Sequence, residues 1–370
     1  MRNLSIFTQP KKSIRNPNID FIRIAGMFAI VIDHLLFHGN AIKIYKKYKE
    51  LQFLNILCMW HVCSFGIISG LVGSNSHRFS NLFYLWILAV FYSLLFYFIF
   101  NNLKIPIFNK NLIGNLFPVI FHKYWYFTCY FGSYPFFQFA NSGISSISQI
   151  QVKKSIYFMI GIFIIWSSYY PDTFSQNNGH TPFSLLIFYI FGSYIGKYIF
   201  FIKHSIIYRI LISALCFLLF MIISFSCYNI NIGNSIFLNN PKIKNIFRIE
   251  INSFPMVFQA FLIIFFVAQI KFDKYISKII TFIGPLTFDV YLIHENEYIR
   301  SNIIRKSFNN DSKDLNLSII LLIIVKKAII IFNICIFIAY LRSIIFKIIK
   351  IKNISQNFEI IITKIINYFI

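Results

Sequence analysis

The chain has 370 residues, of which 57% are hydrophobic, 20% aromatic and only 13% charged. A soluble domain carries roughly 25% charged residues, and half that share with a mean hydropathy of +0.66 excludes a chain solvated mainly by water. The net charge of +23 does not point to nucleic acid, because Lys and Arg sit between apolar runs, as at 43–49 and 347–352, where they meet anionic headgroups.

A bilayer-spanning helix needs about 20 mostly apolar residues. Such runs occur at 19–38, 52–72, 82–101, 119–140, 155–171, 183–202, 206–227, 252–270, 277–298 and 317–346. They predict an all-α, polytopic membrane protein of about ten transmembrane helices. A polar N-terminal segment, 1–18, precedes them and shows no cleavable signal peptide. Its Arg2, Lys11, Lys12 and Arg15 favour a cytoplasmic N-terminus on a multi-pass protein of the cell membrane. The loop at 39–51 holds four lysines of its own and pulls the other way. The ninth run contains Gly284 and Pro285, which predict a broken or partly re-entrant helix shielded by its neighbours. The loops are short and polar, so no second soluble domain is expected beside a membrane domain at 19–346. The basic tail, 347–370, repeats apolar residues with a helical period (Phe358, Ile361, Ile362, Ile365) and predicts an amphipathic surface helix. Six cysteines lie mostly in apolar runs without a CxxC pair and read as packing residues.

Function in such a chain is sought among ionisable groups inside the apolar runs, which are expensive and face cavities or one another. The first run holds Arg23, Asp33 and His34. Arg23 and His34 share one helical face, separated by ~16 Å along the axis, whereas Asp33 is rotated ~100° from His34. Both ends of such a helix can also be explained by snorkelling to the two headgroup layers. A histidine, however, exchanges protons near neutral pH and suits general-base work. In the second run, Gly66, Ser69 and Gly70 form a small-residue strip suited to close helix packing, and His61 reads equally as a core histidine. The densest polar cluster is 289–300. There Tyr291, His294 and Tyr298 fall on one face, and Glu297 can pair with Arg300 at i, i+3. A solvated helix end closed by an ion pair is the alternative reading. No phosphate loop, zinc-ligand spacing or GxSxG elbow is present.

In order along the chain, these motifs resemble the acyltransferase 3 family, multi-span membrane acyltransferases of sugars and polysaccharides. Asn18-Ile19-Asp20-Phe21-Ile22-Arg23 with His34 resembles the family's first-helix signature. Phe65 to Gly70, Tyr124-Trp125-Tyr126-Phe127 with Tyr130, Ile190 to Gly196, and Thr287 to Asn296 with its Tyr-Leu-Ile-His core resemble later ones, over about 15–345. One departure is the region before the third run, where the family often shows two basic residues and this chain has only Arg78.

The resemblance implies transfer of an acyl group, most often acetyl, from acetyl-CoA or another acyl-CoA to a hydroxyl of a sugar or polysaccharide acceptor. It makes His34 the candidate base, or alternatively the residue that carries the acyl group across. Arg23 would stabilise the oxyanion or bind the CoA phosphates, with Arg78 as a second CoA contact. His294 and Tyr291 would line the acceptor side or assist proton transfer. No metal or permanently bound cofactor is expected, and the partners are acyl-CoA, the acceptor and the bilayer. A transporter, flippase or polymerase for lipid-linked sugars, or a sensor without chemistry, would also carry intramembrane charge.

Overall fold

The computed structural model describes residues 15–73, 78–105, 112–170, 173–200, 204–232, 241–309, 311–312 and 314–369. Arg2, Lys11 and Lys12, which carry part of the N-terminal expectation, lie outside them. Among the described residues the chain is all helical, with no strand.

Helix α1 (Pro17–Phe37) starts where the Asn16 side chain accepts a hydrogen bond from Asn18 N and Pro17 fills the first turn. After α2 (Ala41–Ile44), the second apolar run divides at Met59–Trp60 into α3 (Glu50–Cys58) and α4 (His61–Gly73). Next come α5 (Phe79–Asn102), α6 (Leu112–Leu116) and α7 (Trp125–Ser146). A Ser148/Gln151 capping box opens α8 (Gln149–Met159), which runs through a π turn into α9 (Ser167–Tyr169). Helices α10 (Pro182–Tyr198), α11 (Ile206–Asn231), α12 (Pro241–Ile246) and α13 (Phe254–Ala268) follow. Then α14 (Lys274–Ile283) passes through one 3-10 turn, Gly284–Leu286, into α15 (Thr287–His294). The chain ends with α16 (Glu297–Ile299), α17 (Leu317–Ile348) and α18 (Ile351–Phe369).

Among the described residues, six stretches are long and apolar enough to cross a membrane: Glu50–Gly73, Phe79–Asn102, Gln149–Tyr169, Ile206–Asn231, Lys274–His294 and Leu317–Ile348. The expected count of about ten is not reached by length and hydropathy alone. The other four runs form helices that are more polar or shorter. α1 carries Asp20, Arg23 and Asp33, and α7 is interrupted by Gly132, Pro135 and Asn141, while α10 has 17 residues and α13 has 15. Of these, α1, α10 and α13 bury about half of their residues against protein, which relaxes the need for an apolar surface all round. By contrast, α11 and α17 turn large apolar side chains outward, including Ile206, Leu211, Phe217, Leu322 and Phe337, as lipid contact requires.

Contacts at the helix ends fix the direction of each rod. Asn18 Nδ2 donates to the carbonyls of Val267 and Ile270, Arg209 donates to the Gln269 carbonyl, and Lys197 Nζ donates to the Ile144 carbonyl. These gather at the end where α1 begins. His34 meets His294, Asn296 meets Tyr124, and Arg248 meets Ser167 at the opposite end. Helix α1 is the hub, touching α3, α4, α13, α14, α15 and α17. The small-residue strip of α4 packs backbone to backbone on α10, so that a Cβ at Gly70 would fall 1.9 Å from the Tyr189 carbonyl oxygen. The tail helix α18 lies along α5, with Phe358 stacked on Phe83 at 4.0 Å and Glu359 accepting from Phe79 N.

Candidate active site

A cavity of about 930 Å³ opens between α1, α4, α7 and α15. Helix α1 forms one wall, and both Arg23 and His34 line it, as expected for two groups three turns apart on one face. Tyr291, Glu295, Asp33 and His61 line it as well. A charged wall inside a protein this apolar is costly unless the groups pair or meet a ligand.

At the far end of α1, His34 Nδ1 lies 2.9 Å from His294 Nε2 and 3.1 Å from Glu295 Oε1. His294 Nδ1 lies 2.6 Å from the Val290 carbonyl, which can only accept, so that nitrogen carries a proton. In neutral His294 the Nε2 is then an acceptor, and His34 Nδ1 must be the donor. This leaves the lone pair of a neutral His34 on Nε2, which makes no hydrogen bond among the described residues. Glu295 is 3% exposed, and its second oxygen accepts from Arg300 at 2.9 Å. The result is a histidine whose Nδ1 proton is held beside a carboxylate and whose Nε2 is free. That is the arrangement a general base needs to take a proton and be stabilised as imidazolium.

The local sequence explains this placement. α15 stops at His294, Glu295 turns out of the helix, and Asn296 caps the next turn by accepting from Tyr298 N while donating to Tyr124 Oη. The expected continuous face from Tyr291 through His294 to Tyr298 is therefore interrupted. Tyr298 Oη accepts instead from Asn115. The expected Glu297–Arg300 pair is also not formed, because Arg300 bonds Glu295, and Glu297 approaches Lys123 at 3.8 Å. Tyr291 does line the cavity, and its Oη accepts from the Tyr126 backbone N–H at 3.2 Å.

At the near end of α1, Asp20 is 1% exposed and is shared by two guanidinium groups. Arg15 donates to both of its oxygens at 2.8 and 2.6 Å, and Arg23 donates at 2.8 Å. Gly284 lets the helices close here, since a Cβ at that position would sit 2.5 Å from the Asp20 carboxyl carbon. Arg23 thus keeps donors free toward the cavity while one of them holds Asp20. Arg78 is placed elsewhere. It is the exposed residue before α5, its carbonyl accepts from Tyr134 Oη, and it does not line the cavity.

The structure brings Arg23, His34 and Tyr291 to one cavity, sets His294 fully buried against His34, and leaves Arg78 outside the cavity. It adds Glu295, Arg300, His38 and the Asp33–His61 pair, none of which sequence reasoning singled out as a site residue. The signal for Glu295 was its place directly after His294, inside a cluster that periodicity read as one continuous helical face. On the cavity rim outside the spanning segments, Glu250 has its carboxyl pushed up by burial, an effect that Arg248 and His180 partly offset. Donor atoms of His34, His294 and Glu295 lie within 4.8 Å of one another and are the set that a metal ion would use. The 2.9 Å between the two histidine nitrogens is shorter than the ~3.3 Å between donors on a tetrahedral zinc, and it matches a hydrogen bond.

The acyltransferase domain of the acyltransferase 3 family matches residues 16–346 of the chain. The chain belongs to this family. No curated protein and no solved structure matches it. The matched region runs from the N-cap of α1 almost to the end of α17, so it contains every cavity-lining residue and, except for Arg15, every site residue named above. Membership in this family together with the apolar helices makes the chain a multi-pass membrane acyltransferase.

Proposed function

We propose that the chain moves an acetyl or other acyl group from acyl-CoA to a hydroxyl of a sugar or polysaccharide, within the cavity beside α1. The observation that carries this reading is the His34 arrangement, with Nδ1 held 3.1 Å from the buried Glu295 carboxylate and Nε2 unbonded beside the cavity.

A sugar hydroxyl is a poor nucleophile, so its proton must leave as the oxygen attacks. His34 Nε2 takes that proton, and the hydroxyl oxygen forms a bond to the thioester carbonyl carbon. Glu295 stabilises the resulting imidazolium, as it lies against the other ring nitrogen. The C–S bond then breaks, and the imidazolium returns the proton to the departing CoA thiolate. His294 holds the His34 ring in one tautomer through its own bond to the Val290 carbonyl. Tyr291 shapes the acceptor side.

The Arg15–Asp20–Arg23 cluster gives the other end of the cavity a net positive charge suited to the CoA phosphates. On this reading the donor, and with it the N-terminus, is on the cytoplasmic side, and the acceptor is toward the far side. Arg78, exposed at the same end as Arg23, would meet phosphate outside the cavity rather than within it. Ten crossings would place both ends of the described chain on the cytoplasmic face.

The test is to supply membranes containing the chain with radiolabelled acetyl-CoA and to assay the glycan fraction. Label in ester linkage to glycan, released by mild base, is the expected result. Movement of lipid-linked sugar across the bilayer without any labelling would favour a transporter instead.

A further inference from the structure

Asp33 and His61 approach each other from α1 and α4 on the cavity wall, and the acyl-transfer step does not use them. The nearest approach, His61 Nε2 to Asp33 Oδ2, is 3.7 Å, too long for a hydrogen bond. Asp33 Oδ1 and both ring nitrogens of His61 are buried and make no hydrogen bond at all. His61 is only 4% exposed, and both residues line the cavity. Buried polar atoms in native proteins are nearly always satisfied, so three orphaned atoms on one wall point to something that enters from the cavity.

From this juxtaposition we infer that Asp33 and His61 form an acceptor subsite. It holds a hydroxyl next to the one that is acylated, which makes the acceptor a polyol or sugar with a free neighbouring hydroxyl. The inference rests on the acyl-transfer reading and narrows its substrate class. A hydroxyl is both donor and acceptor. It can donate to Asp33 and accept from the His61 N–H, filling a gap too wide for the two residues to close alone. Location supports the pairing. Asp33 directly precedes His34, one residue and ~100° around the same helix, so a group on Asp33 lies beside a group on the base. The other ionisable groups near Asp33 are His34 on the same helix, His38 at its C-cap, and the buried Cys58 of α3. The carboxylate of Glu295 is already taken by Arg300. Only its Oε2 is so held; its Oε1, which makes no hydrogen bond, lies against His34 Nδ1 at 3.1 Å, whereas the unbonded Asp33 Oδ1 belongs to the carboxylate that approaches His61.

The experiment separates the subsite from the reaction. The full chain in detergent is titrated with a panel of methyl hexopyranosides, and binding is read by saturation-transfer NMR. Wild type is expected to bind at least one member. Asp33→Asn and His61→Gln, both close in shape to the originals, are expected to weaken that binding roughly 10- to 100-fold, the loss of one or two hydrogen bonds to a charged or buried partner. Unchanged binding in both variants means that the pair holds only water, and this overturns the inference. So does failure of every hexoside to bind the wild type.

Acetyl transfer from acetyl-CoA is then compared for the bound hexoside and its deoxy analogue lacking the neighbouring hydroxyl. The wild type should prefer the intact sugar, and Asp33→Asn should erase the preference. Equal losses on both acceptors refute the subsite while leaving acyl transfer standing. Sugar binding that depends on Asp33, without any transfer, refutes the acyl-transfer reading while leaving the binding site.

Discussion

Replacing Glu295 with Gln removes one charge and almost no volume, so it isolates the electrostatic contribution to the base. With His34 Nδ1 at 3.1 Å from Oε1, a unit charge pair at an effective dielectric of ~20 is worth about 5 kcal/mol. The imidazolium forms only as the acceptor proton leaves, so this attraction acts on the transition state and not on the resting enzyme. At 1.36 kcal/mol per tenfold, the full loss is roughly ten-thousandfold in rate. The amide oxygen of Gln retains part of the interaction, so the expected fall in acetyl transfer is between roughly a thousandfold and ten-thousandfold. Arg300 is left without its carboxylate, but it is 27% exposed and keeps water, so the amount of protein in the membrane should stay near wild type. The assay is incorporation of label from radiolabelled acetyl-CoA into glycan, normalised to protein. The concentration of acetyl-CoA giving half-maximal rate should not move, because the Arg23 end is untouched. A fall of less than tenfold at equal protein would refute the assignment of Glu295 as the partner of the base.

Three further outcomes concern the scaffold. Gly70→Ala should lower the thermal unfolding temperature in detergent, since its Cβ would press 1.9 Å from the Tyr189 carbonyl oxygen and force α4 from α10. Gly143→Ala in α7 meets nothing within 4 Å and should be neutral or stabilising by about 0.5–1 kcal/mol. Asp289 and Arg342 pair at 2.6 Å while 1% and 5% exposed, so Asp289→Asn should cost about 3–5 kcal/mol, and the double change Asp289→Asn with Arg342→Met should recover most of it. The same thermal measurement checks this pair, and a double change as damaging as the single one would contradict it. For Glu250, whose carboxyl sits above its ordinary range, the folded state binds its proton more tightly than the unfolded state. Its contribution to stability is full at low pH and is lost as pH rises through the raised value. Glu250→Gln should therefore flatten that part of the stability-versus-pH profile, and an unaltered profile would count against it.

The membrane character of the chain was legible in its apolar runs, and the shared face of Arg23 and His34 followed from helical spacing alone. The crossing count was not fixed by composition. Buried helices such as α10 and α13 can be short, and α1 can be charged, because neighbouring helices stand in for lipid. The late cluster was legible in content but not in geometry. Periodicity assumes that the helix continues, whereas Asn296 ends it by capping the next turn, which directs Arg300 to Glu295 rather than Glu297. No local rule pairs Glu295 with His34, 261 positions earlier. That contact exists because α1 is the hub on which α15 packs. Likewise His61 reads as a core histidine in its own helix, and its unpaired state becomes visible only when α1 brings Asp33 opposite it.

If His34 is the base for acyl transfer inside this cavity, His34→Ala removes the proton acceptor and little else. Acetyl incorporation into glycan should vanish, while protein level and acetyl-CoA binding remain those of the wild type. Normal glycan acetylation by His34→Ala membranes would contradict the account.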